Sequence, residues 1–336
     1  MKIKIFNYEI CVCALLVTNS LCVKSSAEMG NKNMNYYDFL NNVKEGVAKL
    51  ADKKDSITIN HIIKNNGKEL DGIVIMEEGS KVAPTIYVNS YYKDYVNGCS
   101  IETICDEIYN THVENKSNID INTEFFEDYR NIKDKIIYKV INYEKNQKLL
   151  TDVPHRRVLD LAVVYYFIIE HWDNISASAM VHNEHLITWE ITEEDLYLAA
   201  VNNTPELFDC VIKPMSSLLN EFAKQCQGDS ADNYINVFNR DYEMYVMTNK
   251  TRISGASCIF YDGVLEHFAD SINSDVYILP SSVHEVILLP KTKGFDKDVL
   301  KKMVREVNIE GVSADEVLSD NIYEYVRKDG EIIMHA

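Results

Sequence analysis

The chain has 336 residues, 46% of them hydrophobic and 26% charged, enough apolar material for two ordinary domains or one large one. Its formal net charge of -18, from 52 acids against 34 bases, is spread along the chain. The clustered Lys and Arg that a phosphate backbone requires are missing, so nucleic acid is excluded as an expected partner and a protein partner fits better.

Residues 1–33 differ from the rest. Lys2 and Lys4 precede an apolar run from Ile10 to Val23, and Ser25 and Ala27 stand where a signal-peptidase site places small residues. Glu9, Asn19 and Ser20 interrupt the pattern, and Met29 and Met34 offer alternative starts. A cleaved leader ending near Ala27 implies a secreted or cell-surface protein; a start at Met29 or Met34 implies a cytoplasmic one. Nothing in the body approaches the ~20 apolar residues of a membrane span.

The body opens with helical spacing from Tyr36 to Leu50, carried by Tyr36, Phe39, Leu40, Val43, Val47 and Leu50. Strand-like runs follow at Ser56 to Ile63, Leu70 to Met76 and Pro84 to Val88. The separators Asn66-Gly67 and Glu78-Gly79 predict an antiparallel meander. Ile101, Ile104, Cys105 and Ile108 share one face of a second helix, Ile101 to His112. Residues 34–113 therefore form a helix, three strands and a helix, and the polar stretch 114–130 is a linker.

Residues 131–330 form the larger part, an antiparallel-sheet domain layered with helices, so the fold class is α+β. A strand at Ile136 to Ile141 leads into Asn142 to Ile169, where a polar helix passes Pro154, His155, Arg156 and Arg157 into a long apolar strand. Ser176 to Val181 follows as another strand. Thr192 and Asp195 cap a helix from Glu193 to Asn202, with Pro205 closing it. Pro214 to Gln225 reads as helix and Gly228 to Asn233 as loop. Met244 to Thr248 and Ile253 to Tyr261 are expected to pair as strands, and Val264 to Ile272 is a helix. Val276 to Leu279 and Glu285 to Leu289 make a hairpin around Pro280-Ser281-Ser282. Val299 to Val307 is a helix with Lys301, Lys302 and Arg305 outward. The body cysteines Cys99, Cys105, Cys210, Cys226 and Cys258 contain no C-x-x-C pair and are expected as small buried hydrophobes.

Several segments together resemble a family: NGKELDGIVI at Asn66 to Ile75, PTIYVNSYY at Pro84 to Tyr92, Asn142 to Ile169, NTPEL at Asn203 to Leu207, MYVMTN at Met244 to Asn249, and SDVYILPSSVHEVILLP at Ser274 to Pro290. The chain resembles a bacterial family of unknown function, the domain family numbered 5688, from about Met34 to near Arg327. More distantly, the order of elements in the last two thirds is similar to the uncharacterised YtpQ-like proteins. Neither resemblance implies an activity. Family members begin at a sequence like Met34 to Phe39, so residues 1–33 depart from the pattern.

Three residue sets are candidate sites. His155, Arg156 and Arg157 have the donors for a phosphate or carboxylate, although ion pairing of either arginine with Asp152 or Asp160 is the preferred reading in an acidic chain. His182 and His185, three apart, share a helical face and have the donors for zinc with an acid from elsewhere, but fall short of H-E-x-x-H. His284 and Glu285 follow Ser281 and Ser282, where turn chemistry explains the residues better than a nucleophilic triad. The tyrosines Tyr87, Tyr91, Tyr92, Tyr95, Tyr165 and Tyr166 suit either a protein interface or partly exposed sheet faces. The resulting expectation is a protein-binding, non-catalytic protein without a cofactor and with an unidentified protein partner. The alternatives are a hydrolase or other enzyme with a His/Arg-lined and metal-dependent pocket, and an acidic immunity-type inhibitor of a basic toxin.

Overall fold

The computed structural model describes residues 34–80, 83–116, 123–172, 175–218, 244–280, 282–291 and 296–335. The leader 1–33, the loop 228–233, the latter part of the helix expected to Gln225, Cys226 and Ser281 lie outside the described residues. The fold is α+β with antiparallel sheets. It divides into two compact units. One comprises the chain up to Lys64, Lys68–Asp128 and Ser176–Ala179; the other comprises Asn65–Gly67, Tyr129–Ile175 and Met180–Ala336.

In the first unit α1 (Tyr36–Leu50) is started by Asn35, whose side chain accepts the Asp38 amide, and it buries Phe39, Val43 and Val47 at the predicted spacing. Strands β1 (Ser56–Ile63), β2 (Glu69–Met76) and β3 (Thr85–Tyr87) form the expected antiparallel meander. Asn66 and Gly67 take positive φ of 57° and 70°, as a tight hairpin turn demands. After β3 the chain turns into α2 (Asn89–Val96), unrecognised in the sequence, and then α3 (Ile101–Lys116). Helix α2 places Tyr91 and Tyr95 in the core with Phe39, Ile73, Ile104 and Ile108. Those tyrosines are core residues, where the sequence reading put them on an interface or sheet face; their polar tips do not prevent burial, and the Tyr95 ring packs at a tilt against Phe39 with centroids 5.5 Å apart. Gly46 lets α1 approach α3: a Cβ there would stand 2.4 Å from Cys105 Sγ.

The second unit holds two sheets. The first has the order β4 (Ile136–Asn142), β6 (Leu161–Trp172), β5 (His155–Val158); β7 (Ile175–Met180), whose Ser176–Ala179 are grouped with the first unit, follows β6 in the chain. Short helices α4 (Tyr129–Ile132) and α5 (Gln147–Leu150) flank β4 in sequence. His155, Arg156 and Arg157 therefore form a strand of their own rather than the end of a helix, with Arg156 facing Val163 and Arg157 facing Ala162 across the β5–β6 pair.

Helix α6 (Asn183–Trp189) precedes α7 (Glu193–Leu207), which begins at the expected Thr192–Asp195 reciprocal cap. Contrary to expectation, α7 runs through Pro205 to Leu207. Proline sits one turn from the end, and the Phe208 amide still closes on Thr204 O at 2.9 Å. Thr204 and Asn203 cover the outer edge of β4: Tyr138 N–H donates to Thr204 Oγ1 at 3.0 Å and Asn203 Nδ2 donates to Ile136 O at 2.9 Å.

The second sheet has six strands in the order β13 (Glu331–His335), β12 (Ile322–Val326), β10 (Val276–Pro280), β11 (Val286–Pro290), β9 (Tyr245–Asn249), β8 (Cys210–Pro214). The predicted β10–β11 hairpin is present, Val276 opposite Pro290. The expected strand Ile253 to Tyr261 is not. Gly255–Phe260 is instead a buried 3-10 turn, because both edges of β9 are already taken by β8 and β11. Gly255 seats it against β9, where a Cβ would lie 2.6 Å from Asn249 N and 2.5 Å from His284 O. Helices α8 (Val264–Ile272) and α9 (Lys297–Glu310) complete the unit.

Candidate functional site

The pleat of β5 separates the first candidate set. Arg156 Nη2 donates to Glu193 Oε2 at 2.8 Å and Glu194 Oε2 at 2.5 Å, and its guanidinium lies 3.7 Å over the Tyr197 ring. The Tyr165 hydroxyl donates to the second oxygen of Glu193. These hydrogen bonds to Glu193 and Glu194 raise the already high pKa of Arg156. Arg157 lies on the opposite face, 4.1 Å over Tyr143 and 3.3 Å from Glu144, with His155 beside the same tyrosine. The trio does not converge on one point. The arginines are ion-paired, but with Glu193, Glu194 and Glu144 rather than the expected acids. Asp152 binds His182, and Asp160 accepts from Ser319, Asn321 and Tyr323.

His182 and His185 do lie together, at the start of α6. His182 is the N-cap, and its backbone N–H donates to His185 Nδ1 at 2.8 Å, while His182 Nδ1 meets Asp152 Oδ2 at 2.8 Å. The His185 ring is buried, stacked on Trp189 with centroids 5.0 Å apart. Burial, and next the neighbouring His182, push the His185 pKa down to about 4. Among the described residues no group of three or more His, Cys, Asp or Glu is arranged to hold a metal ion.

The third set is turn machinery. Ser282 Oγ donates to Glu285 Oε1 at 2.9 Å and accepts the His284 amide at 3.0 Å. His284 Nδ1 accepts the Ser254 amide at 3.2 Å, leaving Nε2 to face Glu316 at 3.5 Å. Glu285 thus meets the Ser282 hydroxyl directly, while the His284 ring is turned to the Ser254 amide and Glu316.

Two features that the sequence reading did not single out face solvent. Cys210, on β8, lines two adjoining cavities of about 420 and 580 Å³, shared with Asp262 and Val264; one adds His267, the other Lys250 and Tyr261. Behind it lies Cys258, buried in the 3-10 turn. The second feature is α9. Leu300 and Val304 bury into the sheet beside Tyr277, Leu279, Leu289 and Ile322. Val299, Met303 and Val307, four residues apart and therefore on one face, remain 58%, 49% and 46% exposed.

Residues 36–327 match the family described as "Family of unknown function (DUF5688)". The chain belongs to the DUF5688 family. No curated protein and no solved structure matches it. Among the described residues of this DUF5688 protein, no helix is long and apolar enough to cross a membrane. The α9 stripe had a legible signal, since V-x-x-x-M-x-x-x-V runs alongside L-x-x-x-V and gives the helix an apolar arc wider than one sheet face covers. The cysteine pair had none, because 48 residues separate positions whose proximity depends on β8 and β9 pairing.

Proposed function

We propose that this DUF5688 protein is a non-catalytic binding protein whose α9 face receives the apolar ridge of an amphipathic segment of another protein. The observation that carries the reading is the half-exposed stripe Val299-Met303-Val307. Exposed apolar side chains aligned on one face mark interaction sites more than scattered ones do. The edge of the stripe is mixed in sign: Lys302, Glu306 and Glu310 stand three residues after Val299, Met303 and Val307, Lys302 lies 3.6 Å from Glu306, and Lys297 is held by Glu324. The distant kinship with YtpQ-like proteins is part of the same proposal and rests on the order of elements alone.

The test compares the full chain with a Val299→Glu/Met303→Glu variant as baits in lysate of the source cell. A partner held by the wild type and lost from a variant of unchanged thermal stability is the expected result. Capture that is the same for both baits overturns the reading. A wild-type dimer in solution that the double substitution dissolves replaces the occupant by a second copy of this chain.

A further inference from the structure

Cys210 and Cys258 come from different elements, β8 and the 3-10 turn after β9, and both elements pack on β9. The register makes the approach specific. Cys210 lies opposite Asn249, while Cys258 Sγ reaches Thr248 O at 3.4 Å on the same strand, β9. Gly255 holds the turn there by its lack of a Cβ. The two thiols differ in access: Cys258 is wholly buried, whereas Cys210 is partly exposed at the wall of both cavities. Such an arrangement pairs an accessible attacking sulfur with a resolving sulfur behind it.

We propose that Cys210 and Cys258 form a reversible oxidation site, in which Cys210 reacts with a hydroperoxide entering through the adjoining cavities and Cys258 resolves the product as a disulfide. The Cys210 thiolate attacks one peroxide oxygen; the S–O bond forms, the O–O bond breaks, and with hydrogen peroxide the departing oxygen takes a proton and leaves as water. Cys258 sulfur, giving up its proton, then attacks Cys210 sulfur. The S–S bond forms, the S–O bond breaks, and the departing hydroxide takes that proton to leave as a second water. Two thiols are oxidised and one peroxide is reduced to two waters. The electrostatics run in the same direction: the neighbouring Cys258 thiol draws the Cys210 pKa down, and that of Cys258 is pushed up by Cys210 and by burial.

The test uses the full chain and hydrogen peroxide. Non-reducing peptide mapping is expected to give a Cys210–Cys258 cross-link that dithiothreitol reverses. In Cys258→Ala the reaction should stop at a sulfenic acid that dimedone traps on Cys210. Before oxidation, iodoacetamide should label Cys210 at least about tenfold faster than the buried Cys99 and Cys105. That rate comparison uses the unaltered protein and stands if the variant fails to fold. The proposal is overturned if Cys210 links to another cysteine, if it stays reduced while other thiols oxidise, or if Cys99 and Cys105 label as fast as Cys210.

Discussion

The two units are held together by different physics. The core of the first is almost wholly apolar: Phe39, Val43, Val47, Ile73, Ile104 and Ile108 with Tyr91 and Tyr95. The second adds a buried polar framework. Asp160 gathers Ser319, Asn321 and Tyr323; Asn142 donates to Leu318 O and Asn308 to Ser319 O. The Glu324 carboxylate, 3% exposed, meets Lys291, Lys297 and His335. Hydrophobic burial is non-directional and indifferent to pH, whereas a buried charge stabilises only while its partners and protonation state hold. The first unit should therefore resist acid and salt, and the second should yield to both.

The largest effect that would break this contrast is at Glu324. Removing it in Glu324→Ala deletes three charged pairs, while Lys291 keeps Asp275 and both lysines reach water, and should cost about 2–3 kcal/mol in urea unfolding. Hydrogen exchange should show the loss among β10, β12 and β13 and not in α1 or β1. Uniform loss over both units would contradict the contrast. Burial raises the Glu324 pKa, but the bonds from Lys291 and His335 outweigh it and leave it below the ordinary carboxylate value. Its contribution is therefore present above the unfolded value and lost as the pH falls through the folded one.

His185 gives the next effect. Its folded pKa of about 4 lies below the unfolded 6.5, so the unfolded chain binds the extra proton between those values. Stability is full above pH 6.5 and falls on acidification toward pH 4, by up to about 3 kcal/mol. A His185→Phe variant should show a shallower slope of unfolding free energy over that window; an identical slope would remove His185 from the account.

In the first unit Gly46→Ala should destabilise by about 1–2 kcal/mol, since overpacking against Cys105 exceeds the helix-propensity gain of alanine. That loss should be the same at pH 5 and pH 7. The smallest change is expected for Arg156→Met, roughly 1 kcal/mol, because its partly exposed pairs with Glu193 and Glu194 are screened by water. A larger loss of affinity for phosphate than of stability, read by calorimetry, would restore Arg156 as an anion site.

The same contrast explains what was legible in the sequence. In the first unit local pattern and final packing agree: the spacing of Phe39, Val43 and Val47 fixes α1, and the runs Ser56–Ile63 and Glu69–Met76 pair as the first hairpin. Helix α2 was missed, because its tyrosines alternate no more clearly than those of a strand. In the second unit position depends on distant partners. Arg156 and Arg157 looked like one site until the strand pleat put them on opposite faces. Ile253 to Tyr261 has a strand's apolar content, yet no edge of β9 remains for it. The pair β12–β13 was readable, from the alternation Ile322-Tyr323-Glu324-Tyr325-Val326 and the turn at Asp329-Gly330, and was overlooked.

The central claim, that the α9 stripe is a protein-binding face, is tested most directly by placing a photo-reactive residue at Met303 in the full chain and irradiating the source cells. A cross-link to one partner, through an apolar segment, and absent when the same residue replaces the exposed Ile187, is the predicted result. Equal labelling from both positions, or none from Met303, would contradict it.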